Sequence, residues 1–141
     1  IYSLDNSGLG FSDLQAYAEA TEGSQLYDGN VAFALAGENW QEALVASVSD
    51  FILSLREASF CVVYSRKNKG LKYSIRSING LDAGRITAKS LAGLGSGGGH
   101  QIMAGGFVPF TGTDSQFQTL VETIRENFLQ EVRLAKENKN L

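Results

Sequence analysis

VAFALAGENWQEALVASVSDFILSLREASFCVVY, residues 31–64, decides the fold class of this chain. It starts with a short apolar run, residues 31–36, which we interpret as a buried strand. From residue 38 to about residue 58, apolar side chains recur every three or four positions, which predicts an amphipathic helix. Residues 60–64 form a second predicted buried strand. Strand, helix and strand in this order predict a crossover with parallel strands, and therefore an α/β domain.

The segment after this unit combines a turn with a clearly alternating strand. Residues 67–70 read Lys-Asn-Lys-Gly, which is a turn composition. In the predicted strand that follows, apolar and polar side chains alternate, so that Lys72, Ser74 and Arg76 share one face. Lysines near the turn protect a solvated strand edge, but an arginine well inside the strand calls for another explanation.

The flanking segments add helices and one more strand. A capping box at Ser12 predicts an N-terminal helix, and Asp82 is the predicted N-cap of a helix that ends near Gly93. Residues 107–110 are a predicted final strand. A second capping box at Thr113 begins a long amphipathic helix.

Taken together, these elements predict an α/β fold with a mixed sheet of about four to five strands, flanked by helices, and a Gly-rich ligand loop. We interpret residues 1–30 as an N-terminal helical or linker segment and residues 31–141 as the domain. Because the chain begins with Ile rather than Met, we expect it to be a piece of a longer protein.

The loop is GLGSGGGHQIMAGG, residues 93–106. It holds seven of the sixteen glycines and the only histidine, His100. Concentrated glycine permits unusual backbone conformations or a very close approach by a ligand. We predict one helical turn at residues 100–104, whose free N–H groups would suit a phosphate. The alternative is a flexible loop closed by a half-buried histidine.

The charge is divided along the chain. Residues 1–55 carry eight acidic residues and no Lys or Arg, whereas residues 56–113 carry eight basic and two acidic residues. Positive charge confined to the segment with the loop favours an anionic ligand over a general nucleic-acid coat.

Composition excludes several classes of protein and site. The single Cys61 excludes an internal disulfide and a multi-Cys zinc site, and we expect it to be a core residue. No apolar run reaches membrane-spanning length, so we expect a cytoplasmic protein without membrane contact. One His, no cluster of Asp and His and no nucleophile elbow leave no catalytic residues and no metal site to assign. The chain therefore has the residues of a binding site and lacks those of a catalytic one.

The strand Ser74-Ile75-Arg76-Ser77, followed by a short helix and Gly97-Gly98-Gly99-His100 with Ala104-Gly105, resembles the DHH-associated domain. That domain is the C-terminal, substrate-binding lobe of DHH-family phosphoesterases, and the likeness covers about residues 31–110. The resemblance implies that Arg76 and His100 grip a substrate phosphate. It also implies that Ser74 and Ser77 shape the pocket, and that the amides of Gly97, Gly98 and Gly99 line it.

The same resemblance implies the rest of the parent enzyme. Its N-terminal DHH lobe would carry two manganese ions, so the parent is expected to be a manganese-dependent phosphoesterase, and this chain is expected to be inactive alone. The expected ligand is the phosphate of a nucleotide or single-stranded oligonucleotide. The family loop has four glycines before its histidine, and Ser96 replaces the first of them here. Met103 likewise replaces the first of two family alanines.

Two other functions remain open at this point. The chain also resembles the C-terminal domain of alanyl-tRNA synthetases, a tRNA-binding and oligomerisation module, although the acidic first 55 residues would repel a large RNA surface. The other alternative is a non-catalytic interaction domain whose glycines serve packing only. A homodimer is compatible with each of these functions.

Overall fold

The structure, a computed structural model, describes residues 10–38, 40–78 and 80–139. The first nine residues of the predicted N-terminal segment therefore lie outside the described residues. Four helices and six strands are present in the described part of the chain. They are α1 Phe11–Gly23, β1 Gln25–Tyr27, β2 Val31–Ala36, α2 Glu42–Leu53, β3 Phe60–Lys67, β4 Gly70–Ser77, α3 Ala83–Ser90, β5 Ser96–Gly99, β6 Met103–Pro109 and α4 Asp114–Lys139.

The six strands form one mixed sheet in the order β1-β2-β3-β4-β6-β5. Strands β2 and β3 are parallel and all other neighbours are antiparallel, which confirms the predicted crossover and the α/β fold class. The two strands that the sequence did not predict are the outermost ones. β1 has three residues and β5 reads Ser-Gly-Gly-Gly, so neither carries the apolar alternation that identifies a strand.

The two faces of the sheet are covered differently. Helices α3 and α4 pack over one face and enclose the larger core, which contains Phe60, Leu71, Ile75 and Phe128. Helices α1 and α2 cover the other face over β2 and β3, where alanines such as Ala34 keep the layer thin. Helix α2 also extends over part of β4, and the rest of that face, over β6 and β5, stays open.

Two of the three predicted helix N-caps are confirmed. The carboxylate of Asp82 accepts a hydrogen bond from the Arg85 N–H at 3.1 Å, and Thr113 and Gln116 form the reciprocal bonds of a capping box. The cap predicted at Ser12 is wrong. Helix α1 begins at Phe11, and the Gly10 N–H donates to the Asp13 carboxylate at 2.8 Å.

Two further segments differ from the prediction. Helix α2 is shorter than the predicted span of residues 38–58, and it ends at Leu53. The predicted helical turn at residues 100–104 is wrong, because the His100 N–H donates to the Met103 carbonyl at 2.7 Å and closes a turn between two strands. The glycine segment is therefore an edge strand, held by antiparallel pairing with β6.

Candidate functional site

A groove of about 1360 Å³ lies on the open half of the sheet, between α2 and the edge strand β5. Its floor is formed by β4, β6 and β5, and α2 forms its wall. The volume exceeds the several hundred cubic ångströms of a typical small-ligand pocket, so the groove has room for an extended ligand.

Strand register arranges the floor in three rows that cross the sheet. These are a charged row, a glycine row and an aromatic row, and each contains one residue from β4, one from β6 and one from β5 or the turn after it. From one end of the groove to the other the rows are Arg76–Met103–His100, Ser74–Gly105–Gly98 and Lys72–Phe107–Ser96. Successive rows are two residues apart along a strand, or about 7 Å, so the outer two rows are about 13 Å apart.

Packing does not explain the absence of a side chain at Gly98 in the glycine row. A Cβ added to Gly98 would meet no atom within 4 Å, and one added to Gly105 would meet only the Tyr73 carbonyl oxygen, at 3.3 Å. Gly97, the neighbour of Gly98, is different: a Cβ placed on it would lie 2.9 Å from the side chains of Thr87 in α3 and of Leu91 directly after α3. Close packing of the helix therefore explains Gly97, whereas Gly98 and Gly105 leave bare backbone facing the groove.

The guanidinium of Arg76 lies at the charged end and is only partly paired. The side chain is 13% exposed, and its Nε is 3.7 Å from Oδ1 of Asp50 in α2. Its Nη1 makes long contacts with the Ser74 hydroxyl at 3.5 Å and the Ile75 carbonyl at 3.3 Å. Arginine has five N–H donors, so most of them have no short protein acceptor in these contacts. A largely buried cation with such weak partners would be stabilised by a phosphate.

The other charged groups at the groove are carboxylates of α2 and lysines of β3 and β4. Lys72 donates to the Glu42 carboxylate, and this hydrogen bond holds the pKa of Glu42 below its usual range. Lys67 donates to the Glu38 carbonyl at 2.8 Å. The positive charge that the sequence concentrates after residue 55 is thus partly neutralised by the acidic first third of the chain.

Cys61 lies beneath this end of the groove and is not a reactive group. It is fully buried and pairs in register with Arg76 across β3 and β4. Burial raises the pKa of the thiol to about 12, so the thiolate needed for nucleophilic or metal chemistry does not form near neutral pH. The prediction that Cys61 is a core residue is confirmed.

The structure brings five of the seven predicted site residues to the groove: Ser74, Arg76, Gly97, Gly98 and Gly99. Ser77 and His100 are not among the residues that line it. Ser77 lies on the opposite face, where its buried hydroxyl donates to the Leu81 carbonyl at 2.7 Å. Its part in shaping the site would be indirect, through the turn that leads into α3.

His100 lies in the same row as Arg76, and Met103 lies between them. The two backbones are two strand spacings, or about 10 Å, apart. Its side chain is exposed, while its carbonyl accepts from the Gly84 N–H at 2.8 Å. The Gln101 carbonyl accepts from the Ala83 N–H at the same distance. The first amides of α3 are therefore occupied by the chain itself, so the glycine segment offers the helix carbonyl groups and does not expose a free helix N-terminus.

Sequence reasoning missed Trp40, Phe107 and Asp50 as groove residues. Trp40 and Phe107 line the groove, and Asp50 faces Arg76 from α2. Lys72 is a fourth groove residue that was not assigned to the site. The sequence did contain a signal for it, because the alternation of β4 places it on the same face as Arg76. The other three depend on strand register and on helix placement, which no local pattern encodes.

The described residues contain neither a cluster of metal-ligating side chains nor a membrane-spanning helix. Between residues 10 and 139, leaving out 39 and 79, no three side chains of the His, Cys, Asp or Glu type come together as a metal site. The described residues therefore do not fit a manganese centre. No helix in the described part of the chain has the length and apolar character of a bilayer-spanning segment.

Comparison with known protein families decides the classification. The sequence profile of the DHHA1 domain matches residues 28–130. The chain belongs to the DHHA1 domain family. This confirms the resemblance to the DHH-associated domain that the Arg-Ser strand and the Gly-Gly-Gly-His segment indicated. A search of curated protein sequences gave no significant match.

Solved structures share the DHHA1 fold at low sequence identity. An exopolyphosphatase-related protein from Bacteroides fragilis superposes with a TM-score of 0.70 and 19% identity over 96% of this chain, which spans 41% of that protein. RecJ from Thermus thermophilus, in complex with Mg²⁺, gives 0.55 and 16% identity over 84% of this chain and 17% of RecJ. The C-Ala domain of alanyl-tRNA synthetase from Aquifex aeolicus gives 0.51 and 16% identity, over 72% of this chain and 96% of that domain.

Proposed function

We propose that this DHHA1 domain holds the substrate of a DHH-type phosphoesterase, and that it binds a phosphate of a nucleotide or single-stranded oligonucleotide in the groove. Cleavage would be carried out by a DHH catalytic lobe of the same parent protein, which would hold the manganese ions. The chain described here would be inactive alone. A cytoplasmic location is part of the same proposal.

One observation carries this proposal: a bare glycine floor beside a largely buried, weakly paired arginine. Gly98 lacks a side chain where the fold would accept a methyl group, Gly105 leaves bare backbone beside it, and Arg76 borders both in the same groove. Backbone that is open to such close approach next to a guanidinium suits a flat or tetrahedral anionic ligand. Packing alone gives no reason for Gly98.

Each of these groove residues would have its own role in binding the ligand. Arg76 presents two parallel donors to the phosphate, and Ser74 adds a hydroxyl beside it. Lys72, about 13 Å further along the groove, contributes a second positive charge for a ligand longer than one phosphate. His100, at the rim of the charged row, would reach the same phosphate by turning its exposed side chain toward Met103.

Two neighbouring glycines provide a matched test. In Gly98→Ala the new methyl group enters the groove and touches no protein atom, so we expect an unchanged or slightly raised unfolding midpoint and a several-fold weaker affinity. In Gly97→Ala the methyl group presses on Leu91 and Thr87, which should cost about 1–3 kcal/mol of stability. Affinity is measured by calorimetric titration of the dinucleotide pdApdA, and stability by thermal melts.

The proposal requires that Gly98→Ala lowers the affinity without lowering the stability, and that Gly97→Ala lowers the stability. If Gly98→Ala binds pdApdA as tightly as the unaltered chain, the glycine row is not a ligand floor and the proposed function is wrong. That result would favour the alternative of a non-catalytic interaction domain.

A second function, tRNA binding and oligomerisation, is favoured by one observation. The match to the C-Ala domain covers 96% of that solved domain, so the common fold forms a whole module in a synthetase. A tRNA surface requires many phosphate contacts, whereas Glu42 and Asp50 place negative charge on the wall of this groove. The two functions differ most in the salt dependence of binding, and homodimer formation would accompany the second.

A further inference from the structure

The aromatic row of the groove differs from the charged row in the chemistry it offers. Phe107 lines the groove with 38% of its surface exposed, and it sits opposite Lys72 in register. A Cβ placed on Gly70 would lie 2.5 Å from the Phe107 ring, so the ring covers the bare backbone of Gly70. The ring is thus supported from below and keeps an open surface toward the groove.

Trp40 lies at the same end of the groove. It precedes α2 by two residues, and the ion pair between Glu42 and Lys72 holds the start of α2 beside the aromatic row. The Trp40 ring packs against Gly37, where an added Cβ would lie 2.8 Å from Trp40 Cδ1. Two aromatic side chains that each rest on a glycine therefore line one end of a groove whose other end holds Arg76.

We infer that Phe107 is a stacking platform for a nucleobase, and that the ligand is a single strand of two or more nucleotides. This inference rests on the proposed function, because it takes the phosphate at Arg76 as given. The aromatic row is about 13 Å from the charged row along the strands, and only one sugar separates a phosphate from its own base. A base on Phe107 thus belongs to a neighbouring nucleotide, and the phosphate between the two nucleotides crosses the glycine row, about 7 Å from Arg76 and from Lys72 along the strands.

A polyphosphate chain is the ligand that this inference disfavours. It would use Arg76 and Lys72 equally well, but it has no apolar surface to place on Phe107 or Trp40. Base stacking on an aromatic ring is tolerant of sequence and strengthens binding of single strands. The expected specificity is therefore for nucleobase-bearing ligands of any sequence.

The test compares four ligands on the 141-residue chain: pdA, pdApdA, pdApdApdA and inorganic tripolyphosphate. We expect Phe107→Leu to weaken the binding of pdApdA about fivefold or more, since stacking contributes about 1–3 kcal/mol per base. The same variant should bind pdA and tripolyphosphate as the unaltered chain does, which also shows that the groove is intact. Phe107→Tyr keeps the ring and should restore the affinity. Trp40, the only tryptophan, should change its fluorescence with pdApdA and not with tripolyphosphate.

Failures of the two proposals can be told apart with Arg76→Gln. Under the proposed function this variant loses affinity for pdApdA and for tripolyphosphate alike. If it does so while Phe107→Leu weakens both ligands equally or neither, the stacking inference is overturned and the phosphate site stands. If Arg76→Gln leaves both ligands unaffected, or the unaltered chain binds neither, the proposed function fails and the inference fails with it.

Discussion

Asp50→Asn should strengthen phosphate binding, although it removes an ion pair. In the structure the Asp50 carboxylate lies 3.7 Å from Nε of Arg76, on the wall of the groove. A bound phosphate would compete with it for the guanidinium and would also be repelled by it. The amide of Asn has nearly the same shape, so the substitution removes the charge and leaves the wall in place.

The size of the effect follows from distance and exposure. Two unit charges 3.7 Å apart interact by about 1 kcal/mol in water and by about 4 kcal/mol at the effective dielectric constant of a protein surface. Asp50 is 72% exposed and the contact is longer than a hydrogen bond, so the lower figure applies. A gain of about 1 kcal/mol corresponds to roughly fivefold tighter binding. It should decrease with added salt, since the screening length falls to ~8 Å at physiological ionic strength.

The assay is calorimetric titration of pdApdA at low and physiological salt, with a control that has the same net charge. Glu122→Gln removes one exposed carboxylate from α4, which covers the opposite face of the sheet. It reports any general effect of making the protein less negative. If Asp50→Asn binds no more tightly than Glu122→Gln, then Asp50 does not compete with the ligand, and our placement of the phosphate at Arg76 is wrong.

Three further predictions test other features of the groove. Arg76→Lys should weaken binding nearly as much as Arg76→Ala, because an ammonium group cannot present two parallel donors; titrations in which Lys restores most of the affinity would show that Arg76 supplies only charge. Affinity measured from 50 to 200 mM salt should fall with a shallow log–log slope, reflecting one or two released counterions, whereas a slope near that of a protein with 6–10 phosphate contacts would favour the tRNA-binding function. At pH 8 Cys61 should react with a thiol reagent only as fast as the domain opens, because burial raises its pKa to about 12, and rapid labelling of the folded protein would contradict this.

Local patterns in the sequence determined most of the elements. Alternation along β4 and three-to-four spacing along α2 reflect the faces that these elements bury, and both were recognised without a structure. The caps at Asp82 and Thr113 are short-range hydrogen bonds between residues three apart, so their residue types suffice to find them. The charged face with Ser74 and Arg76 followed from the same alternation.

Only the tertiary structure decided what the glycine segment does. β5 has no apolar side chain to bury and is a strand because β6 pairs with it, which is a contact that local propensity does not register. The same pairing places Phe107 beside Lys72, and helix placement brings Asp50 to Arg76 although 26 residues separate them in the chain. A glycine has no side chain, so the alternation of apolar and polar residues does not show which face of the strand it lies on. That Gly97 turns toward α3 and Gly98 toward the groove is fixed by register alone, and on this difference the candidate site depends.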